Sequence, residues 1–442
     1  MTVGAPPNGP FDERERWPVE RWRELQKLRL REVTALAYRD LPFYRDRLDD
    51  AGITPADVHG TEDFARLPLL TKRQVVSDQA RRGSYAVGME SVEGAGPKAF
   101  GMTSGSLGTV LLAYPDSWRV ATGEAAARAY WWAGLRPGMQ MLVAAPAWHA
   151  MAMRQTYVAQ RLAARCVMPW GTFLPTFAGR FLDALRDVRP EFVCLFLPML
   201  YSMLAECRKR ETPPSEAFSS VRSLLLGGAP ITPAGRAQLR SELGVDDVFD
   251  SAGSSEGLLS GECSAHNGLH YFVDVCYVEI VDPVTRQPLP PGRRGSMVVT
   301  SLVPHGSIYL RYDTEDVAEI LPGDCSCGCS WPRLRIYDRR ANQVDVGGRT
   351  VMWHDVRTCL DRFPEMVGVS CALIRGDGES SVLHLMLERP AAGRDDGLEA
   401  RVEQVLRGSL RVEPRLEWVS ELPARWKGVT VIDEQDWRGH HG

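Results

Sequence analysis

Apolar positions recur at helical spacing early in the chain. Trp22, Leu25, Leu28, Val33 and Leu36 fall near one face of residues 19–40, with Arg, Glu and Lys on the other. That periodicity predicts an amphipathic helix, broken at "DLPFY" by the proline. "GITPADV" predicts a turn with a short helix, and "LPLLTKRQV" a loop leading into another helix. From residue 117 the pattern alternates. Helices are expected at 117–132, "MRQTYVAQRLAA", 177–189, 198–210 and "ITPAGRAQLRSEL", the last opened by proline. Between them lie short apolar runs, "MQMLVAAPA", "RCVMPW", "EFVCLFLP" and "VRSLLLGGAP". Apolar strands interleaved with helices predict a mostly parallel sheet covered on both faces.

Near residue 270 the period changes. "HYFVDVCYVEIV", "GSMVVTSL" and "SIYLRYDT" read as strands, separated by "DPVTRQPLPPGRRG". They predict an antiparallel, barrel-like subdomain over about 270–337. Beyond 338 a small α+β unit is expected. Its strands are "QVDVGG", "VGVSCALI" and "SVLHLMLER", and its helices span 354–362 and 397–408. The fold class is therefore α/β: a large N-terminal domain, 1–337, and a small C-terminal α+β domain, 338–442.

Composition narrows the class. A chain of 442 residues with 44% hydrophobic and 24% charged residues is an ordinary globular protein of more than one domain. The net charge of -4 gives no basic footprint for nucleic acid. No apolar run is long enough to cross a bilayer, and "MTVGAPPNGPFDERERW" has no apolar signal core and suits a frayed tail. The expected compartment is the cytoplasm, with a homodimer as an open possibility. Ten cysteines in a chain this long do not form a secreted disulfide framework.

Several runs carry candidate chemistry. "AFGMTSGSLGTV" concentrates Thr103, Ser104, Gly105, Ser106 and Gly108, whose backbone N–H groups and hydroxyls suit a phosphate or an ordinary turn. "LLLGGAP" places Gly227 and Gly228 at the carboxyl end of a strand, where open α/β sheets bind ligands. "FDSAGSSEG" offers Ser254, Ser255 and Glu256, read either as a Mg²⁺ site beside phosphates or as a helix N-cap. "YLRYDTEDVAEI" carries Asp313, Glu315 and Asp316, one of which could accept two ribose hydroxyls, or the three form an acidic turn. "ELPARWKGVTVID" holds Lys427 in a glycine-containing loop. Finally, "CSCGCS" and "ECSAHNGLH" combine thiols and imidazoles at short spacing. We expect a closed structural Zn²⁺ site of Cys263, His270, Cys325 and Cys327, with His266 and Cys329 in reserve.

The order of these runs, with Asp338 and Arg339 opening the last domain, resembles the adenylate-forming superfamily. Within it the chain resembles the phenylacetate-CoA ligase family. "ELQKLRLREVTALAYRDLPFYRDRLDDAGITPADV", "ECSAHNGLHYF" and "CSCGCSWPRLRIYDR" sit where that family has comparable segments, across about residues 20–433. The resemblance implies that Thr103, Ser104, Gly105, Ser106 and Gly108 embrace the ATP phosphates. Gly228, Ala229 and Pro230 would line the adenine. Ser255 and Glu256 would face phosphate and Mg²⁺, Asp316 would hold the ribose with help from Arg339, and Lys427 would drive adenylation. Departures fall at Leu107, Thr109 and Val110, at Ala252 in place of an aromatic, and at Ala341 in a hinge position. Trp131, Trp132, Trp148 and His149, facing the strand end at Gly227, suggest an aryl acid pocket. The implied activity is ATP-dependent activation of an aryl acid, with CoA as acceptor. The alternatives are a ligase serving an amine, hydroxyl or nitrite-derived nucleophile in secondary metabolism, and a silent nucleotide-binding relative.

Overall fold

A computed structural model describes residues 10–82, 98–102, 111–144, 150–168, 177–303, 306–376, 381–390, 397–420, 422 and 431–434. The chain divides into two compact units. One takes the chain up to Val167 with Phe249–Ile336, and the other takes Met168–Val248 with Tyr337 onward.

In the first unit the helix Val19–Asp40 buries Trp22, Gln26, Leu30, Val33, Thr34 and Ala37. The inward stripe thus differs from the one its leucines suggest, and Leu28 is 50% exposed. Gln26 takes a core place because its Nε2 donates to the Cys276 carbonyl at 3.2 Å, which satisfies a buried amide. Pro42 ends this helix and opens another, Pro42–Asp50, because proline at the first helical position gives up an N–H that had no partner anyway. The segment before the first helix is not a frayed tail from residue 10 onward. Asp12 and Glu15 form a capping box around a 3-10 turn, Glu13–Arg16, and Glu15 is buried.

The β-rich part is a six-stranded sheet. Its order is Cys276–Val281, Gly295–Ser301, Tyr312–Leu321, Arg333–Arg339, Leu269–Tyr271, Ser260–Glu262. The first three strands pair antiparallel, as do the last three. The same unit holds a parallel pair, Gln140–Val143 with Arg165–Val167, joined through the helix Ala150–Arg161.

The second unit holds a parallel pair, Phe192–Phe196 with Ser223–Gly227, linked through the helix Leu197–Lys209. It also holds a four-stranded sheet in the order Glu413–Val419, Val382–Glu388, Cys371–Arg375, Val431–Asp433. Sequence reasoning passed over Glu413–Val419, whose charged residues hide its alternation, yet it runs parallel to Val382–Glu388 along seven registered pairs. The helices Trp353–Leu360 and Leu398–Leu410 pack their apolar faces on this sheet. A hairpin, Gln343–Val346 with Arg349–Met352, turns on Gly347 and Gly348 at φ 55 and 72, the left-handed pair a tight hairpin requires.

Candidate functional site: a cysteine-histidine cluster and the nucleotide loops

The sheet assembles the cysteine-histidine cluster. Cys263 follows the strand Ser260–Glu262, and His270 is the central residue of Leu269–Tyr271. Cys325, Cys327 and Cys329 occupy the turn before Arg333–Arg339, where Gly328 at φ 81 bends the chain. The cysteine sulfurs of 263, 325 and 327 and a ring nitrogen of His270 all lie within 4.8 Å of one another. Among the described residues this is the group of His, Cys, Asp and Glu gathered closely enough to hold a metal.

Two of its distances are close to those of a tetrahedral site. Zn–S bonds of about 2.3 Å and Zn–N bonds of about 2.05 Å place sulfurs about 3.8 Å apart, and sulfur about 3.6 Å from nitrogen. Cys263 Sγ and Cys325 Sγ are 3.6 Å apart, and Cys327 Sγ is 3.4 Å from His270 Nε2. His270 Nδ1 lies 2.8 Å from the Trp331 carbonyl. Donating there fixes the tautomer and leaves Nε2 as the ligating atom. The Cys329 N–H donates to Cys327 Sγ at 3.3 Å, so Cys329 contributes its backbone. Its sulfur lies outside the four-atom group. His266 turns elsewhere, with Nδ1 3.2 Å from the Glu262 carboxylate and its ring 4.9 Å from that of Phe249. Gly268, at φ 86, sets the register of His270, because a Cβ there would lie 2.9 Å from the Leu334 carbonyl.

Electrostatics within the cluster favour ligation. The hydrogen bond from Cys263, helped by His270, pushes the Cys327 thiol down to about 3. Burial opposes a charge on His270, but hydrogen bonds to the four neighbouring sulfurs outweigh it and raise its basicity. A divalent cation bound there would displace protons from these groups.

Around the cluster lies a shell that sequence reasoning missed. The Trp132 ring stands edge-on to His270, Phe272 and Trp331, with centroids at 5.6, 5.7 and 6.5 Å. Trp132 Nε1 donates to Glu15 Oε2 at 3.1 Å. Arg128, 1% exposed, donates to both carboxylate oxygens of Asp274 and to Asp12, and its guanidinium lies 4.9 Å from the Trp331 ring. Ser330 and Trp331 donate back to the Glu15, Trp17 and Arg14 carbonyls. The N-terminal segment is thereby strapped over the cysteine turn. The available signal was the D-x-x-E spacing of Asp12 and Glu15. Trp131 packs on Phe11 at 6.0 Å and on the Arg136 guanidinium at 3.9 Å, so both tryptophans read as acid-pocket walls have described partners in this shell and the segment around it. Trp148 and His149 lie outside the described residues.

The nucleotide candidates fall on both units. In the first, Ser255 and Glu256 stand on a tight turn rather than a helix cap. Gly253 and Leu259 bridge across its base, Ser254 N–H donates to the Leu258 carbonyl at 2.9 Å, and Gly257 has φ 134. Both side chains are half-buried. Asp316 is half-buried on the strand Tyr312–Leu321, and its N–H donates to Thr314 Oγ1 at 3.2 Å. In the second unit, Ser223–Gly227 is buried throughout and ends at Gly228, at φ 84. A Cβ on Gly228 would come within 2.7 Å of the Phe196 ring, so only glycine leaves this turn open. Ala229 packs on the apolar core under the four-stranded sheet, and Pro230 is half-buried. Arg339 is exposed at the end of its strand. The Ala341 carbonyl accepts from the Arg375 guanidinium, which pins the hinge position. Thr103, Ser104, Gly105, Ser106, Gly108 and Lys427 lie outside the described residues.

The model of the family described as AMP-binding enzyme matches residues 117–302. Along most of its length the chain is similar to curated phenylacetate-coenzyme A ligases. It is 29% identical over 429 residues to the phenylacetate-coenzyme A ligase of Thermus thermophilus, covering 95% of this chain and 93% of that protein. It is 27% identical over 402 residues to the phenylacetate-coenzyme A ligase of Aromatoleum evansii, covering 88% and 86%. Among solved structures it matches 2-hydroxyisobutyryl-CoA ligase in the postadenylation state with R3-HIB-AMP. That match has a TM-score of 0.86 at 22% identity over 97% of this chain and 93% of the other.

Proposed function

We propose that the protein uses ATP to activate an aryl carboxylic acid as its adenylate and then passes the acyl group to CoA. The observation that carries this reading is the match to the Thermus ligase along nearly the whole chain. In the first step an acid oxygen bonds to the α-phosphorus, and the bond to the departing pyrophosphate breaks. Charge gathers on phosphoryl oxygens, so positioned donors and cations supply most of the rate. Lys427 is the cation for that charge. Thr103, Ser104, Gly105, Ser106 and Gly108 donate to the phosphates, and Ser255 stands with them. Glu256 offers a hard carboxylate oxygen to Mg²⁺. Gly228, Ala229 and Pro230 line the adenine, while Asp316 and Arg339 hold the ribose.

Residues 1–337, with a barrel-like β subdomain, form the catalytic body, and 338–442 is the mobile domain in this reading. Cys263, His270, Cys325 and Cys327 hold a structural Zn²⁺; four protein ligands leave no open position for chemistry. The setting is the cytoplasm, where the ten free cysteines stay reduced.

Pyrophosphate release across a panel of aryl acids tests the activation step, and mass analysis of products with CoA or an amine identifies the acceptor. Lys427→Ala should cut acid-dependent pyrophosphate release by about 100-fold or more while leaving the fold intact. Near-normal turnover would sink that assignment. Elemental analysis of protein purified without added metal should find about one zinc per chain, as a closed four-ligand site requires. Zinc retained by a Cys263→Ser, Cys325→Ser double variant would reject these ligands.

A further inference from the structure

Just past the Gly-Gly-Ala-Pro turn lies a polar contact that the reading above leaves unused. Thr232 caps the helix Pro233–Leu243, its Oγ1 accepting from the Gly235 N–H at 2.9 Å. The same hydroxyl donates to Asp361 Oδ2 at 2.6 Å, joining segments 129 positions apart. The other oxygen of Asp361 pairs with the Arg357 guanidinium, which also donates to the Val369 carbonyl at 2.7 Å and lies 5.7 Å from the Tyr201 ring. Thr232, Asp361 and Arg357 are 2, 4 and 2% exposed. Space is kept for the carboxylate, since a Cβ on Gly235 would come 2.7 Å from Asp361 Oδ2 and 3.0 Å from Thr232 Oγ1.

Apolar packing would join these segments with no desolvation cost. A buried carboxylate held by one hydroxyl and one guanidinium adds little net stability but is directional, made in one geometry and lost in others. Thr232 lies two residues beyond Pro230, so its hydroxyl fixes the exit of the turn and the start of the helix together. We propose that Thr232, Asp361 and Arg357 are positioning residues for adenylation, a latch that seats the C-terminal segment 353–369 on the nucleotide turn. Transfer of the finished acyl group to CoA does not require the latch. The inference rests on the two-step reading given above.

Two variants open the latch by unlike means. Thr232→Val removes the hydroxyl. Gly235→Ala keeps the hydroxyl and favours the helix, yet drives a methyl group against the carboxylate. Each should lower acid-dependent ATP–pyrophosphate exchange about tenfold, the scale of one lost hydrogen bond to a charged group. Transfer from a supplied acyl-adenylate to CoA should stay near wild type, and Thr232→Ser should restore exchange. Amide hydrogen exchange at 353–361 should quicken in the Val and Ala variants and not in the Ser variant. Unchanged protection at 353–361 in both would overturn the latch whatever the turnover. Equal losses in both half-reactions would overturn the positioning role. A wild-type chain that exchanges pyrophosphate with no aryl acid sinks the functional reading instead, and the amide measurement still decides the latch.

Discussion

One buried arginine braces each of the two units from within, and the two do so differently. Arg128 meets two carboxylates, Asp12 and Asp274, and lies against the Trp331 and Phe272 rings. Arg357 meets one carboxylate, Asp361, which is shared with the Thr232 hydroxyl. The first cluster shares its two carboxylates with a second cation, Arg14, and gives aromatic cover to an arginine that burial would otherwise disfavour. The second has fewer charged partners, and among the described residues Arg357 Nε has no hydrogen-bond partner. Redundant pairing builds a fixed clamp, and minimal pairing builds a contact that can be given up. The clamp sits beside the cysteine-histidine cluster and the minimal pair beside the Gly-Gly-Ala-Pro turn.

Removing each cation should expose that difference. Arg128→Met leaves Asp274 and Asp12 facing each other with Arg14 as the remaining cation, and should cost about 5 kcal/mol in chemical denaturation. Arg357→Met leaves Asp361 with a hydroxyl donor still in place and should cost about 3 kcal/mol. A loss at Arg357 equal to or larger than that at Arg128 would erase the distinction between clamp and latch.

Glu15 sharpens the picture of the clamp. Burial pushes its carboxyl up from 4.5 to about 7, against the hydrogen bond from Trp132 and the nearby Arg128. Between those values the folded protein keeps a proton that the unfolded chain releases. The associated stability is therefore full below about pH 4.5 and lost as pH rises through 7. Wild type should lose about 2 to 3 kcal/mol more than Glu15→Gln between about pH 5 and 8. Parallel pH profiles for the two proteins would show that Glu15 stays ionised throughout.

Legibility in the sequence followed chemical scarcity. Thiols and imidazoles crowded into two short runs have few structural uses, so Cys263, His270, Cys325 and Cys327 could be singled out before any geometry was known. Choosing His270 over His266 needed only the expectation that a strand holds a ring more firmly than a turn. The shell around them was hidden because Asp12, Glu15, Arg128 and Asp274 are common surface residues whose meeting depends on long-range folding. The helix Val19–Asp40 failed in the same way: Gln26 replaced a leucine in the buried stripe because a carbonyl 250 positions away could receive its amide. Small-residue runs such as Gly227 and Gly228 could be read only through their order along the chain, since many turns share their composition.

Cys263 and Cys325 are 62 positions apart. Any ion gripping both sulfurs ties off a loop of that length, as a disulfide would, in a chain whose cysteines are otherwise free thiols. Closing such a loop lowers the entropy of the unfolded ensemble by an amount worth about 4 kcal/mol at room temperature. During synthesis Cys263 and His270 leave the ribosome first and wait for the three-cysteine turn, so the knot cannot be drawn until three strands of the sheet, Cys276–Val281, Gly295–Ser301 and Tyr312–Leu321, have emerged. The cluster can thus close only once most of the β-rich region has emerged, with Arg333–Arg339 still to follow, and a chain stalled before residue 325 would present two open ligands and an unfinished sheet.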